Sequence, residues 1–470
     1  MKTLGKLWRS IGSAGLWPAT VALAALASLA LGPLSGQAGA PAGGQVVYLP
    51  AVVKNIPLPN VYGVTMSPVG NSGGLGLVQA TSSAWVRGPY LDWSSAETTP
   101  GARDWSHAPT GEMLAAAQNN LSLILAVSQT PAWAQKVPGY SCGPMGASHI
   151  AQFAAFMHDA VARYSVPPYN VKYWEIWNEP DIAPSEAPTP NSPFGCWGNT
   201  SDYYYGGEYY GQVLAQVSAQ MKAANPSVTV LVGGLLLNCN PNNPPPGNNC
   251  WPAHFLEGVL RGGGANAFDG VSVHAYDYYA NSLGLYANPG WQASSNTIGP
   301  GMRPKATFVR GVLNDYGAGG KLLLNTESAL LCDNNCTSDF EKTKAYYLAE
   351  SFASALADGM AANVWYSLAG WRNSGLVDGG GNPVMAYDAY QFGSQQLLGA
   401  TFRTAINSYS NVVGFEFTNG PRRIWVLWAT VPSVIVALPG MPAAIYDVDG
   451  TALAPAANIT LTREPLYIIW

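Results

Sequence analysis

Two glutamates stand at the ends of strand-like runs that lie far apart in the sequence. The aromatic and β-branched run 174–177 leads into Asn178 and Glu179 and is stopped by a proline. A second apolar run, residues 321–326, ends at Glu327. Two carboxylates placed at strand ends are the minimum equipment for cleaving a glycosidic bond.

The chemistry assigns different protonation states to the two carboxyl groups. Retaining hydrolysis needs them about 5–5.5 Å apart, one ionised for attack and the other protonated for donation to the leaving oxygen. We assign Glu179 as the acid/base and Glu327 as the nucleophile, whose charge raises the pKa of its neighbour. Glu341 and Glu350 fall inside a helical pattern, and Glu175 is expected to be a buried structural acid inside the fold.

Alternating strand and helix patterns must position these groups. Helical patterns lie between the strand-like runs, which indicates right-handed βαβ units and a parallel sheet. Eight such units predict an α/β fold, a (β/α)8 barrel over residues 61–400. The predicted strands are Val61–Met66, Ala84–Gly88, Leu121–Val127, Lys172–Trp177, Val228–Leu235, Gly270–His274, Lys321–Asn325 and Ala362–Tyr366. The clearest predicted helices are His149–Tyr164, Tyr209–Ala224, His254–Arg261, Ala306–Tyr316, Phe340–Asp358 and Ala386–Leu398.

An open, doubly wound sheet is the rival architecture, and it usually supplies a glycine-rich phosphate turn. The glycine pairs and triplets at 233–234 and 262–264 lack that spacing. After Ala400 the pattern changes to short alternating runs, with hairpin signals at Asn419-Gly420 and Asp449-Gly450. Residues 401–470 therefore predict a small C-terminal all-β sandwich domain.

Several polar and aromatic residues fall at the predicted C-terminal strand ends, where active sites of such barrels lie. Asn178 suits a hydrogen bond to a sugar 2-hydroxyl, and Tyr276 suits one to the nucleophile. Arg87 would help to keep Glu327 ionised, and His274 is either a structural hydrogen-bonding group or a substrate contact.

Aromatic side chains could supply flat apolar surfaces for sugar rings. Trp365 or Tyr366 belongs to the eighth predicted strand, and we expect Trp365 to contact substrate. The tryptophans of the predicted rim loops are either sugar platforms or packing residues; they are Trp93, Trp133, Trp291 and Trp371.

These positions resemble the retaining (β/α)8 glycoside hydrolases of clan A, the cellulase and β-xylosidase type. The matching residues are Arg87, Trp177-Asn178-Glu179-Pro180, His274-Ala275-Tyr276, Glu327 and Trp365. The resemblance covers about residues 61–398 and implies a covalent intermediate, no metal and no organic cofactor. The stretch Thr130-Pro131-Ala132-Trp133 looks like the xylosidase branch.

The N-terminus is typical of an export signal. Lys2, Lys6 and Arg9 precede the apolar run 19–31 and a small-residue cleavage site near residue 40. We expect a signal peptide over residues 1–40, a linker or extended arm over 41–60, and a secreted protein. An uncleaved membrane anchor is the weaker alternative, because a membrane span needs about 20 apolar residues.

Six cysteines are consistent with an oxidising compartment. They allow 15 pairings, but two pairs would each close a small loop, Cys239–Cys250 and Cys332–Cys336, which leaves Cys142–Cys196. A zinc site is the disfavoured alternative, since no histidine lies at ligand spacing beside these cysteines.

Composition excludes some partners. Charged residues make up only 10% and the net charge is −5, without a basic stripe, so nucleic acid is not an expected partner. We expect a monomer without a stable membrane span that acts on a carbohydrate. The hypothesis is a secreted retaining enzyme that cleaves β-glycosidic bonds of a polysaccharide or oligosaccharide. A transglycosylase and a catalytically silent carbohydrate-binding protein are the alternatives.

Overall fold

The computed structural model describes residues 60–292, 299–333 and 336–470. The predicted signal peptide and all of the predicted arm except Asn60 lie outside these residues. Within them, none of the helices combines the length and apolar character that a membrane crossing requires.

Eight parallel strands form a closed barrel in the described part of the chain. Each strand pairs with its neighbours in the sequence, and β1 also pairs with β8, while β5 pairs with β6. This confirms the predicted (β/α)8 fold. The strands are β1 (Tyr62–Thr65), β2 (Trp85–Asp92), β3 (Ser122–Ser128), β4 (Tyr173–Asn178), β5 (Thr229–Leu235), β6 (Gly270–Tyr279), β7 (Leu322–Leu331) and β8 (Ala362–Trp365).

Helices follow the strands and cover the outside of the barrel. They are α1 (Leu75–Gln79), α2 (Trp93–Ala96), α3 (Thr110–Gln118), α4 (Ile150–Tyr164), α5 (Gly207–Ala224), α6 (Phe255–Gly263), α7 (Met302–Asp315), α8 (Phe340–Ala357) and α9 (Met385–Gln396). The short helix α2 is an addition within the loop that follows β2. A two-residue strand, Tyr286–Ala287, pairs antiparallel with the end of β6.

Alternation along the strands creates two layers of core. Side chains at alternate strand positions fill the lower part of the barrel interior. Side chains at the intervening positions pack outward against the helices. The inner set includes Trp85, Ile124, Tyr173, Leu231 and Leu324.

Three strands run at least four residues beyond their predicted ends. Strand β2 ends at Asp92, β6 at Tyr279 and β7 at Leu331. Each has an irregular register near the C-terminal end of the barrel, at 87/90 in β2, at 273/274 in β6 and at 325/328 in β7. Such bulges change the direction in which a side chain points and are frequent beside active sites. Glu327, His274 and Tyr276 therefore lie within strands, not after them.

The C-terminal region consists of two antiparallel sheets. A six-stranded sheet has the order β9-β10-β11-β16-β13-β14, and β12 pairs with β15 in a second sheet. The strands are β9 (Thr401–Ala405), β10 (Val412–Asn419), β11 (Arg422–Ala429), β12 (Ser433–Ala437), β13 (Ala444–Tyr446), β14 (Ala452–Leu453), β15 (Asn458–Thr462) and β16 (Leu466–Ile469).

Strand β11 contributes side chains to two separate hydrophobic cores. Trp425 and Leu427 pack into the core shared with the two-stranded sheet, whereas Ile424, Val426 and Trp428 belong to the core that includes the barrel helices. A strand that is buried on both faces joins the all-β region to the barrel.

Candidate active site

The backbone around Glu179 has an uncommon conformation. Trp177 and Glu179 have φ angles of 73° and 48°, in the left-handed region that costs non-glycine residues energy. The amide of Glu179 donates to the carbonyl of Gly234 over 2.9 Å. Gly234 must be a glycine, because a Cβ there would lie 2.0 Å from Nε2 of His274. Close packing thus fixes both the backbone of Glu179 and the ring beside it.

The structure brings the two predicted carboxylates together. A carboxylate oxygen of Glu179 and one of Glu327 lie within 4.8 Å of each other. Both residues are buried, with 3% and 6% of their surface exposed. Inverting enzymes keep their two carboxyl groups about 6.5–9.5 Å apart to admit a water, whereas retaining enzymes keep them about 5–5.5 Å apart. The expected close approach of the two carboxyl groups is therefore present.

Both oxygens of Glu327 accept hydrogen bonds. Arg87 Nη1 donates to Oε1 over 2.5 Å, and the hydroxyl of Tyr276 donates to Oε2. The same guanidinium donates to Oε1 of Glu175 inside the barrel and, over 2.6 Å, to Oδ1 of Asn178. Arg87 therefore holds the nucleophile candidate and the amide candidate in one network.

Glu179 has fewer donors. Its Oε1 lies 2.7 Å from Nδ1 of His274, and its Oε2 has no hydrogen-bond partner among the described residues. The His274 nitrogen is also 3.5 Å from Oε2 of Glu327. Nδ1 of His274 therefore lies close to both carboxyl groups.

The surroundings separate the pKa values of the pair. Burial and the negative charge of Glu327 raise the pKa of Glu179 well above the ordinary carboxyl value. Burial also raises the pKa of Glu327, but the charge of Arg87 and the hydrogen bond from Tyr276 oppose this. Burial and nearby cations lower the pKa of His274 well below its ordinary value, so the ring is neutral. The arrangement favours an ionised Glu327 beside a protonated Glu179.

Two adjacent aromatic residues at the end of β8 have different surroundings. Trp365 is fully buried, its indole N–H donates to the carbonyl of Ser374, and its ring packs near Tyr347 of α8. The next residue, Tyr366, instead meets the rings of Tyr276 and Trp371, at centroid distances of 6.1 and 6.3 Å. Tyr366 therefore lies next to Tyr276, which contacts Glu327, and the substrate contact of Trp365 stays a prediction.

The rim tryptophans divide into two groups. Trp371 lies edge-on to Tyr276 at 5.9 Å, and Tyr276 in turn contacts Glu327. Trp133 packs against Trp93 and His149 and donates to the carbonyl of Glu97. Its described contacts therefore belong to loop packing on the β2–β3 side.

The structure contains the three expected disulfides. Cys142–Cys196 joins the loop after β3 to the loop after β4. The indole N–H of Trp177 donates to the carbonyl of Cys142 over 2.9 Å, and the amide of Gly195 donates to the carbonyl of Asn178. This disulfide therefore stabilises the backbone next to Glu179, the acid/base candidate.

Glu179, His274 and Glu327 are close enough together to be considered as a cation site. However, both Glu327 oxygens already accept hydrogen bonds from Arg87 and Tyr276. A cation would compete with the Arg87 guanidinium for the same lone pairs of Glu327. The existing hydrogen bonds to Glu327 therefore disfavour a bound cation. Catalysis without a metal stays a prediction.

A cavity of ≈ 460 Å³ adjoins His274 and Tyr276, which contact the pair, while Glu179 and Glu327 themselves are not among its lining residues. Its lining includes His274, Tyr276, Tyr278, Trp291 and Lys305. That volume is typical of small-molecule sites. The sequence did not point to Lys305, and it offered Tyr366 only as the alternative to Trp365. Lys305 and Tyr366 belong to elements whose orientation depends on register or helix packing.

Comparisons with known proteins place the fold. No protein-family model matches the sequence, and no curated protein matches it. A family 39 glycoside hydrolase from the gut symbiont Bacteroides cellulosilyticus WH2 has a similar structure, with a TM-score of 0.65 and 18% identity, over 87% of this chain and 81% of that one.

Two further solved structures are similar. A family 30 subfamily 8 xylanase from Clostridium acetobutylicum has a TM-score of 0.56 and 15% identity, over 87% of this chain and 95% of that one. A family 39 β-xylosidase from Caulobacter crescentus has a TM-score of 0.54 and 14% identity, over 90% and 98% respectively. At these identities the likeness shows a shared fold.

Proposed function

We propose that this protein is a retaining glycoside hydrolase that cleaves β-glycosidic bonds through a covalent glycosyl-enzyme. One observation carries the proposal: Glu179 and Glu327 present carboxylate oxygens within 4.8 Å of each other in a buried site at the C-terminal end of the barrel. Their hydrogen-bond partners favour opposite protonation states, which is what double displacement requires.

In the first step, the Glu327 carboxylate attacks the anomeric carbon while Glu179 gives its proton to the glycosidic oxygen. The carbon–oxygen bond to the leaving group breaks, and an ester bond to Glu327 forms. Arg87 and Tyr276 hold the attacking carboxylate in one orientation. Such positioning contributes to the rate because the reacting atoms start near attack distance.

In the second step, Glu179 works as a base. Esterification removes the negative charge of Glu327, so one of the causes that raise the pKa of Glu179 disappears. Glu179 then takes a proton from water, and the water oxygen attacks the anomeric carbon. The ester bond to Glu327 breaks, which releases the sugar and restores the Glu327 carboxylate. Two inversions restore the original configuration.

Asn178 has the orientation expected of a sugar-binding amide. Its Oδ1 accepts from Arg87, and its Nδ2 is 3.3 Å from the carbonyl of Pro193. The oxygen therefore accepts from a cationic donor and one amide N–H donates to Pro193, which leaves the second N–H to donate to a sugar 2-hydroxyl.

The substrate class and location belong to the same proposal. Two of the similar structures are a xylanase and a β-xylosidase, so xylosides are the first substrates to test. The three disulfides and the predicted signal peptide support export. We place the catalytic domain at residues 61–400 and the β-sandwich at 401–470.

The decisive experiment measures hydrolysis of aryl β-glycosides and polysaccharides by the wild type, Glu179→Gln and Glu327→Gln. We expect Glu327→Gln to lose at least about a thousandfold on all of these substrates, roughly 4 kcal/mol of barrier, and Glu179→Gln to lose as much on substrates whose leaving group needs a proton. Azide should rescue Glu327→Gly with an inverted glycosyl azide and Glu179→Ala with a retained one. Near-wild-type rates in both glutamine variants would refute the assignment.

A further inference from the structure

Strands β5 and β6 close the barrel, but their pairing stops short of the site. The last paired residues are Leu235 and Val273. Immediately beyond them, the carbonyls of Leu236 and His274 both accept hydrogen bonds from the ammonium of Lys305, each over 2.5 Å. The ammonium of Lys305 thus joins the two strands just beyond their last paired residues, through two charge-assisted hydrogen bonds.

Lys305 lies in the first turn of α7 and is only 3% exposed. Its ammonium is 5.5 Å from the centre of the Trp291 ring. Lysines are almost never fully buried unless they are paired, and a buried ammonium is costly without acceptors. Its placement at these two carbonyls therefore calls for an explanation.

We propose that Lys305 is a positioning residue of the acid/base, because its ammonium fixes β6 at His274 and with it the His274 ring that contacts Glu179. The inference rests on the proposed function and extends it to a residue of the helix layer. His274 transmits the effect, since its carbonyl binds Lys305 while its Nδ1 lies 2.7 Å from Glu179.

The charge of Lys305 also acts on the site. Glu179 faces the negative charges of Glu327 and Asp181, and the cations Arg87 and Lys305 oppose them. Removing Lys305 leaves Arg87 to oppose two carboxylates, so the pKa of Glu179 rises further. The basic limb of kcat/KM, where the acid loses its proton, should then move to higher pH.

Lys305 has its own titration. Burial lowers its pKa to about 8, although the neighbouring charges of Asp181, Asp277 and Glu179 oppose that effect. Above about pH 8 the wild type loses this positive charge as well. The electrostatic difference between the wild type and a variant without the lysine should therefore shrink there.

The test compares Lys305→Met, Lys305→Arg and the matched control Lys344→Met. Lys344 is also buried, at 2% exposure, and its ammonium donates to two loop carbonyls, those of Asn373 and Gly375. We expect Lys305→Met to lower kcat about tenfold with a smaller change in KM, and to shift the basic limb upward. Lys305→Arg should restore the limb, and Lys344→Met should lower the melting temperature without shifting it.

Carbon-13 titration of labelled glutamate carboxyl groups gives a readout that needs no substrate. We expect the Glu179 signal to titrate at higher pH in Lys305→Met than in the wild type or Lys344→Met. If Lys305→Met only lowers the melting temperature, as the control does, while the titration stays in place, the inference is overturned. Failure of the proposed function would appear separately, as undiminished hydrolysis in the glutamate variants.

Discussion

Two glutamates in different parts of this molecule have similarly small exposed surfaces and behave in opposite ways. Glu179 at the barrel end is 3% exposed, and Glu416 on strand β10 is 4% exposed. Burial raises the pKa of both carboxyl groups. At Glu416, hydrogen bonds from Arg423, Trp425 and Arg403 outweigh burial, and the pKa falls to about 2. At Glu179, the charge of Glu327 adds to burial and the pKa stays raised.

The difference shows that burial alone does not decide the protonation state of a carboxyl group. The number of donors and the sign of neighbouring charges decide it. Glu327 is intermediate, since it accepts from Arg87 and Tyr276. The barrel end thus contains an acid with few donors next to an acid with two, whereas the β-region contains one that is fully satisfied.

The largest expected effect comes from substrates with different leaving groups. Glu327→Gln should lose about a thousandfold in kcat/KM on every β-glycoside, because the nucleophile is gone. Glu179→Gln should lose as much with alkyl leaving groups but much less with dinitrophenyl glycosides, which need no proton. Kinetics on both substrate types measures this, with Glu416→Gln as the active control. Equal losses on both substrates in Glu179→Gln would contradict the acid role.

The second effect concerns stability. Glu416→Gln should lower the free energy of unfolding by about 2 kcal/mol at pH 7, a value discounted because its arginine partners are partly exposed. The folded pKa is depressed, so this stability is present above about pH 4.5 and lost as pH falls toward 2. Urea unfolding at pH 7 and pH 3 measures it. A constant difference between wild type and variant would count against the ion-pair explanation.

The third effect tests Glu327, which has more hydrogen-bond donors than Glu179 and fewer than Glu416. Tyr276→Phe removes one donor from Glu327, which raises the pKa of that carboxyl group. The acidic limb of kcat/KM should move to higher pH, with an activity loss of about tenfold. Tyr286→Phe is the matched control, because it removes a hydroxyl donor from the distant Glu350. A limb that moves equally in both variants would argue for a general structural disturbance.

The smallest effect concerns Glu350 in α8, which is buried with one donor, the hydroxyl of Tyr286, and one unpartnered oxygen. Burial raises its pKa well above the ordinary value. A raised acid contributes stability below its unfolded pKa and loses it as pH rises. Glu350→Gln should therefore gain about 1 kcal/mol relative to wild type between pH 4 and pH 8, measured by urea unfolding. No pH-dependent gain would mean that Glu350 is ionised.

Sequence patterns predicted the barrel because buried parallel strands are apolar runs that alternate with amphipathic helices. All eight predicted strands overlap the observed ones. A carboxylate oxygen of Glu179 and one of Glu327 lie within 4.8 Å of each other, as the predicted fold required. The catalytic roles of the pair stay predictions.

Features that depend on register were not predictable in the same way. The extensions of β2, β6 and β7 arise at bulges, which a one-dimensional pattern does not show. The choice between Trp365 and Tyr366 depends on which of two adjacent side chains turns inward at the end of β8. Lys305 was missed because the predicted helix began at Ala306, and only tertiary packing brings the lysine to the strand ends.

The bridge between Cys142 and Cys196 has a practical consequence for making the protein. A host that keeps thiols reduced would leave two loops untethered around Trp177, although the barrel core does not depend on them. We expect such material to be soluble and folded yet catalytically poor, with the defect concentrated in proton donation. Thiol titration of a purified batch would then forecast its specific activity better than its yield does.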